Sequence, residues 1–192
     1  LLHIETDSSE GRVTMLETLH SFALEQLIAA NLLTALQHTH AVYFAEYVET
    51  IYVEVRGEQQ SHWLAQTRLD HDNFRSALRF ALEQDDSDIA VAIAGGLWWF
   101  WYRQGFLLEG RQWLDASLRC PVKLALTEIQ KRKRAIALNG AGAMACEQSD
   151  YPSAMAYHNE GLALRHELKD LDGVAAVLHN MSLVARCQGE YA

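Results

Sequence analysis

The sequence predicts an all-α fold: an α-solenoid of helical hairpins, preceded by one short β-hairpin. Three observations carry this. Only two of the 192 residues are proline, Pro121 and Pro152, so few positions forbid a helix. Apolar residues recur near the 3.6-residue helical spacing through residues 17–187, which gathers them on single helix faces. The second half also repeats itself. "ALNGAGAMACEQSDY" (137–151) aligns without gaps to "VLHNMSLVARCQGEY" (177–191), a period of 40 residues. A fixed period of two helices per unit marks an α-solenoid, in which each unit buries its apolar face against the next.

The elements follow in order. "LLHIE" and "RVTML" alternate their side chains around "TDSSEG", which predicts two short strands and a turn before Leu16. "ETLHSFALEQLIAANLL" then places Leu19, Phe22, Ala23, Leu27 and Ile28 on one helix face. "ALQHTHAVYFAEYVETIYVEV" does the same for Tyr43, Phe44, Tyr47, Val48 and Ile51. A short helix is expected around "EQQSHWLAQTRL". The next one, "DHDNFRSALRFALEQ", starts with Asp70, Asp72 and Asn73, residue types that accept a backbone N–H at a helix start. Its buried stripe is Phe74, Leu78, Ala81 and Leu82. "DDSD" (85–88) breaks the chain and caps the following helix. Hairpin turns are expected near Gly105, Ser149 and Gly189.

Residues 98–102 are five consecutive aromatics, "WWFWY". At about 100° per residue they cover the whole circumference of a helix. A helix that is apolar all round is a buried one, so packing is the leading expectation. Trp98 and Trp101 share one side, and Trp99 and Tyr102 turn toward another. The minority reading leaves one aromatic, Tyr102 or Trp113, lining a groove.

Charge and chemistry exclude several function classes. The net charge is −9, and 8 acidic residues against 2 basic ones lie within residues 1–56. That is not the basic field that phosphate contacts need, so no direct nucleic-acid binding is expected. The one basic run, "KRKR" (131–134), points in four directions on a helix and reads as a solvated helix start. No apolar run reaches membrane-spanning length, and a cytoplasmic location is expected. Cys120, Cys146 and Cys187 are far apart in sequence and read as reduced thiols. The histidine pairs His38/His40, His62/His71 and His158/His166 lack a third ligand at metal-site spacing, so no metal and no cofactor are implied. Asp70, His71 and Ser76 form a tempting triad, but a helix start explains them and no nucleophile turn appears. There is no phosphate-loop motif either; "GAGA" (140–143) falls mid-helix, as close helix packing.

"GAGAMACEQSDYPSAMAYHNEGLAL" resembles a tetratricopeptide repeat. Gly142 on its first helix, and Ala154 and Gly161 on its second, are the small residues expected where paired helices cross. Enlarging Ala154 to Leu is expected to overpack the crossing. His158 stands where the family has an aromatic, and the 40-residue period exceeds the usual repeat length. A weaker first copy has Trp98 in the place of Gly142, with Gly110 and Ser117 at the second helix's small positions. "RVTMLETLHSFALEQL", "HAVYFAEYVE", "WLAQTRLDHDNFRSALRFALE" and "LWWFWYRQGFLLEGRQWLDASL" together resemble the STAND-type bacterial signalling ATPases, among them LuxR-like and SARP-like transcriptional regulators.

That resemblance implies residues 1–33 as the end of a winged helix, whose last hairpin the strands would be. It implies 34–86 as a helical linker and 87–192 as tetratricopeptide-like repeats, the last one truncated. It implies a non-catalytic sensor that binds a partner protein, peptide or small inducer, and that controls transcription through an ATPase domain upstream. The alternatives are an autoinhibitory arm that packs on its own nucleotide-binding domain, and an enzyme with a pocket between linker and repeats. Asn139, Glu147, Asn180 and Arg186 are the expected interaction surface by repeat position. The chain stops where a third repeat would turn into its second helix. It therefore reads as an excised fragment whose C-terminal end self-associates or frays.

Overall fold

A computed structural model describes residues 2–5, 12–122 and 124–189. Among the described residues the regular structure is helical apart from one pair of short strands. Its contacts divide it into two units, Leu1–Thr39 and His40–Ala192.

In the first unit, β1 (Leu2–Glu5) pairs antiparallel with β2 (Arg12–Met15), setting Leu2 opposite Met15 and Glu5 opposite Arg12. The expected turn between them lies outside the described residues. α1 (Glu17–Ala29) follows, and Asn31 turns the chain at φ 56°, a left-handed conformation that Asn tolerates. The expected face of α1 finds no core. Phe22 and Ile28 are each 59% exposed, Leu19, Ala23 and Leu27 are only half-buried, and no α1 residue is buried. An amphipathic spacing shows which side chains share a face; it does not supply the surface that covers them.

α2 (Leu33–Glu54) begins in the first unit and belongs to the second from His40 on. Then come α3 (Gln60–Leu69), α4 (His71–Glu83), α5 (Ser87–Gln104), α6 (Leu107–Arg119), α7 (Glu128–Glu147), α8 (Tyr151–Glu167) and α9 (Leu171–Cys187). Among the described residues no single helix is long and apolar enough to cross a membrane. The main core is continuous from Phe44, Val48 and Ile51 of α2, through Phe74 and Leu78 of α4 and Ile93 and Leu97 of α5, to Leu138 and Met144 of α7. The stripe of α2 is Ala41, Phe44, Val48 and Ile51. Tyr43, expected within it, is 57% exposed, because it lies one residue, about 100°, off that line. Tyr47 is half-buried and stacks on Phe74.

One device makes several turns. Asp85, Ser149 and Lys169 take positive φ of 52°, 59° and 54°. The next residue's N–H then reaches back to the carbonyl five residues earlier: Asp86 to Ala81, Asp150 to Ala145, Asp170 to Arg165. This is the Schellman closure of a helix C-terminus. Each of those aspartates also caps the following helix, accepting from the backbone N–H of Ile89, Ser153 or Gly173. Gly105, at φ 77°, closes α5 in the same way, with Phe106 N–H on the Trp101 carbonyl.

The start of α4 departs from expectation. Asp70 ends α3 and begins α4 at φ −95°, ψ 4°, and caps no backbone N–H through its side chain. That backbone is not the extended one from which a capping side chain folds over the first turn. Instead Asn73 donates to the Asp70 carboxylate at 3.4 Å, and Asp72 pairs with Arg75 at 2.7 Å.

The basic run on α7 is also more engaged than a solvated start. Lys131 reaches Glu167 at 2.7 Å, Lys133 reaches Glu49 at 2.6 Å, and Arg134 bonds Glu160 and the Leu118 carbonyl. The four directions are real, but three of them end on neighbouring helices.

Contacts between alternate helices recur at nearly one separation. Gln130 of α7 donates to Asp88 of α5, 42 residues away, and Tyr102 of α5 donates to Glu147 of α7, 45 away. Tyr157 of α8 donates to Asp115 of α6, 42 away, and Asn180 of α9 donates to Asn139 of α7, 41 away. Both ends of α5 meet the matching ends of α7, so these two helices run in the same direction. Lys131–Glu167 and Arg134–Glu160 bring the start of α7 to the end of α8, so that pair is antiparallel.

Candidate functional site

The small residues lie where helices touch. Gly142, Ala154 and Gly161 are all buried. A Cβ added at Gly142 would lie 2.5 Å from the His158 ring, and one at Gly140 would lie 2.5 Å from the Cβ of Trp98. Gly110 faces the Cβ of Trp101 and the methyl end of Met144. Ser117 is fully buried.

The aromatic run is mainly packing. Phe100 and Trp101 are fully buried and Trp98 is 8% exposed. Trp101 donates its indole N–H to Nε2 of His71 at 3.0 Å. An acceptor Nε2 is unprotonated, so His71 is neutral with its proton on Nδ1, and burial holds its pKa below the ordinary histidine value. Glu109 sits beside it, gripped by Arg75 through two bonds of 2.6 Å and by the Trp113 indole at 3.2 Å. The bond from Arg75 keeps the Glu109 carboxyl below its usual range. This network ties α4 to α5 and α6. Asp70, His71 and Ser76 form no triad: His71 is committed to Trp101, and Ser76 is exposed.

The rest of the aromatic run lines a cavity of about 410 Å³ formed by four helices. α5 supplies Trp98, Trp99 and Tyr102, α7 supplies Cys146 and Glu147, α8 supplies His158, and α9 supplies Asn180, Leu183 and Cys187. Trp99 and Tyr102 stack at 5.5 Å, nearly parallel. Tyr102 donates to Glu147 at 2.9 Å, a bond that raises the phenol's pKa. His158 is 1% exposed, and neither ring nitrogen has a partner. Burial pushes its pKa down to about 4, so it is a neutral imidazole near pH 7. The volume is that of a small-molecule or peptide side-chain site, and a mostly apolar wall with a few polar groups is the usual make-up of such sites.

The four expected surface residues divide. Glu147 and Asn180 line the cavity. Asn139 does not, and it spends its side chain on Asn180 at 2.8 Å, a tie between α7 and α9. Arg186 is exposed and outside the cavity lining. Tyr102 takes the groove-lining role and Trp113 does not.

No spacing in the sequence joins His158, Cys146 and Cys187 into one site. The only sequence signal was Gly142 standing opposite a ring-bearing position, legible once the two helices are paired. Among the described residues no group of three or more His, Cys, Asp or Glu side chains is placed to hold a metal ion. Comparisons with known proteins find no matching family model, curated protein or solved structure.

Proposed function

We propose that this chain is a sensor and protein-interaction module of a STAND-type transcriptional regulator, with residues 87–192 as tetratricopeptide-like repeats of an α-solenoid. The observation that carries the reading is the open cavity between successive helix pairs, walled by Trp98, Trp99 and Tyr102 and edged by Glu147 and Asn180. Supporting it is the near-constant separation of 41 to 45 residues between partners on α5, α7 and α9, the spacing a stack of similar units has. The occupant is a peptide segment of a partner protein, or a small inducer. In the intact regulator its binding biases an ATPase switch elsewhere in the protein.

A second contact is favoured by α1. It buries no residue, and it leaves Phe22 and Ile28 exposed along its length with Leu16 and Leu32, 65% and 51% exposed, beyond its two ends; exposed apolar surface recruits contacts. That contact is with the nucleotide-binding domain, and the hairpin β1–β2 belongs to a winged helix.

The test is a tryptophan-fluorescence and calorimetric screen of peptides and small metabolites on this chain. A true occupant shifts the emission of Trp98 and Trp99, and its affinity falls at least about tenfold in Tyr102→Ala and Leu183→Arg. Binders whose affinity is unchanged in both variants would place recognition elsewhere and sink the reading.

A further inference from the structure

Cys146 and Cys187 are 41 residues apart in sequence, yet both line the same cavity. A second contact explains why. Asn139 and Asn180 are also 41 apart and bond across α7 and α9 at 2.8 Å. Each cysteine lies seven residues after its asparagine. Seven residues are about two helical turns, so both side chains return to the seam that the asparagines occupy. Cys187 is exposed, whereas Cys146 is half-buried. Burial first, and then the neighbouring Cys187 side chain, raise the Cys146 thiol above its ordinary pKa. Cys120, the third cysteine, is buried and does not line this cavity.

We propose that Cys146 and Cys187 are a modification site for hydroperoxides, closing to a reversible disulfide that pins α9 to α7 at the rim of the groove. The chemistry balances in two steps. The exposed Cys187 thiol gives its proton to solvent, its thiolate attacks the peroxide, the O–O bond breaks, and the leaving hydroxide (or alkoxide) takes a proton back from solvent, so that a sulfenic acid and one water (or alcohol) result. The Cys146 thiol then displaces hydroxide from that sulfur, forming the S–S bond and a water. The two thiols lose two electrons and the peroxide gains them. The order follows from access: the oxidant meets Cys187 first, and the sheltered Cys146 resolves it. Closing the loop between the two cysteines restricts the opening of α9, and the groove loses freedom at the side that Leu183 lines.

The experiment treats the whole chain with hydrogen peroxide and follows intact mass, non-reducing peptide maps and hydrogen exchange. The expected product has lost the mass of two hydrogens and carries a Cys146–Cys187 linked peptide pair. Amide exchange in α9 slows by at least about tenfold, and a dithiol reductant reverses all of it. Cys146→Ser leaves a sulfenic acid on Cys187 that dimedone traps, and the exposed Cys187→Ser variant, which keeps the fold, gives no intramolecular link. Oxidation that yields only Cys187-linked dimers, or a Cys187 sulfinic acid with Cys146 still free, overturns the proposal.

Discussion

α5 and α9 both pack on α7, one before it and one after it in the chain, and have opposite fates. α5 buries 12 of its 18 residues, and α9 buries Gly173, Val177 and Val184 of its 17. α5 is flanked by α4, α6 and α7, and Val48 of α2 presses on Gly96. α9 has α8 and one seam of α7. Its Leu171 is 79% exposed and its Leu178 is 50% exposed. Apolar content alone does not bury a helix; the number of flanking helices does.

The largest effect should come from the flanked helix. Trp101→Ala removes a fully buried ring and leaves His71 without its donor. Chemical denaturation should show a loss of about 3–5 kcal/mol. Val184→Ala on α9, equally buried, should cost only about 1–2 kcal/mol. Equal losses at the two sites would break the contrast.

Acid should act next, through His158. Its folded pKa of about 4 lies below the ordinary 6.5, so the unfolded chain binds the proton more readily. Stability is then full above about pH 6.5 and falls as the pH drops toward 4, by on the order of 3 kcal/mol. His71 and His40, also lowered by burial, act in the same direction. His158→Phe, which keeps a ring against Gly142, should flatten this slope. A variant as acid-sensitive as the parent would show that His158 titrates freely in the fold.

Close crossings come third. Gly142→Ala brings a methyl onto the His158 ring, and Ala154→Leu overfills a fully buried position. Each should lower stability by about 1–3 kcal/mol. Pairing Gly142→Ala with His158→Ala should recover part of that loss, and strict additivity would mean the two residues do not meet. Smallest of all, Leu178→Glu on the open face of α9 should change stability by less than about 0.5 kcal/mol. A larger loss would reveal a covering surface on α9.

Much of the secondary structure was legible in the residues. "DDSD" (85–88) announces both the end of one helix and the cap of the next, because a short carboxylate next to a left-handed residue satisfies orphan backbone groups locally; Asp150 and Asp170 repeat the device in the structure. Gly105 does the same by lacking a Cβ. The buried character of "WWFWY" followed from five rings covering every side of a helix. Asp70 is a capping residue type that makes no side-chain cap, for the converse reason: its backbone is set by two helices that abut, which no local signal records.

The sequence by itself determined helices, turns and which side chains share a face, since these depend on residues within a few positions of one another. Only tertiary structure decided which faces are covered. It left Phe22 and Tyr43 in solvent and buried His158. It also brought Trp101 onto His71, 30 residues away, and Tyr102 onto Glu147, 45 away. Cys146 meets Cys187 at the groove for the same reason. Each of these joins side chains on different helices, and a face becomes a site only when a second helix supplies its other wall.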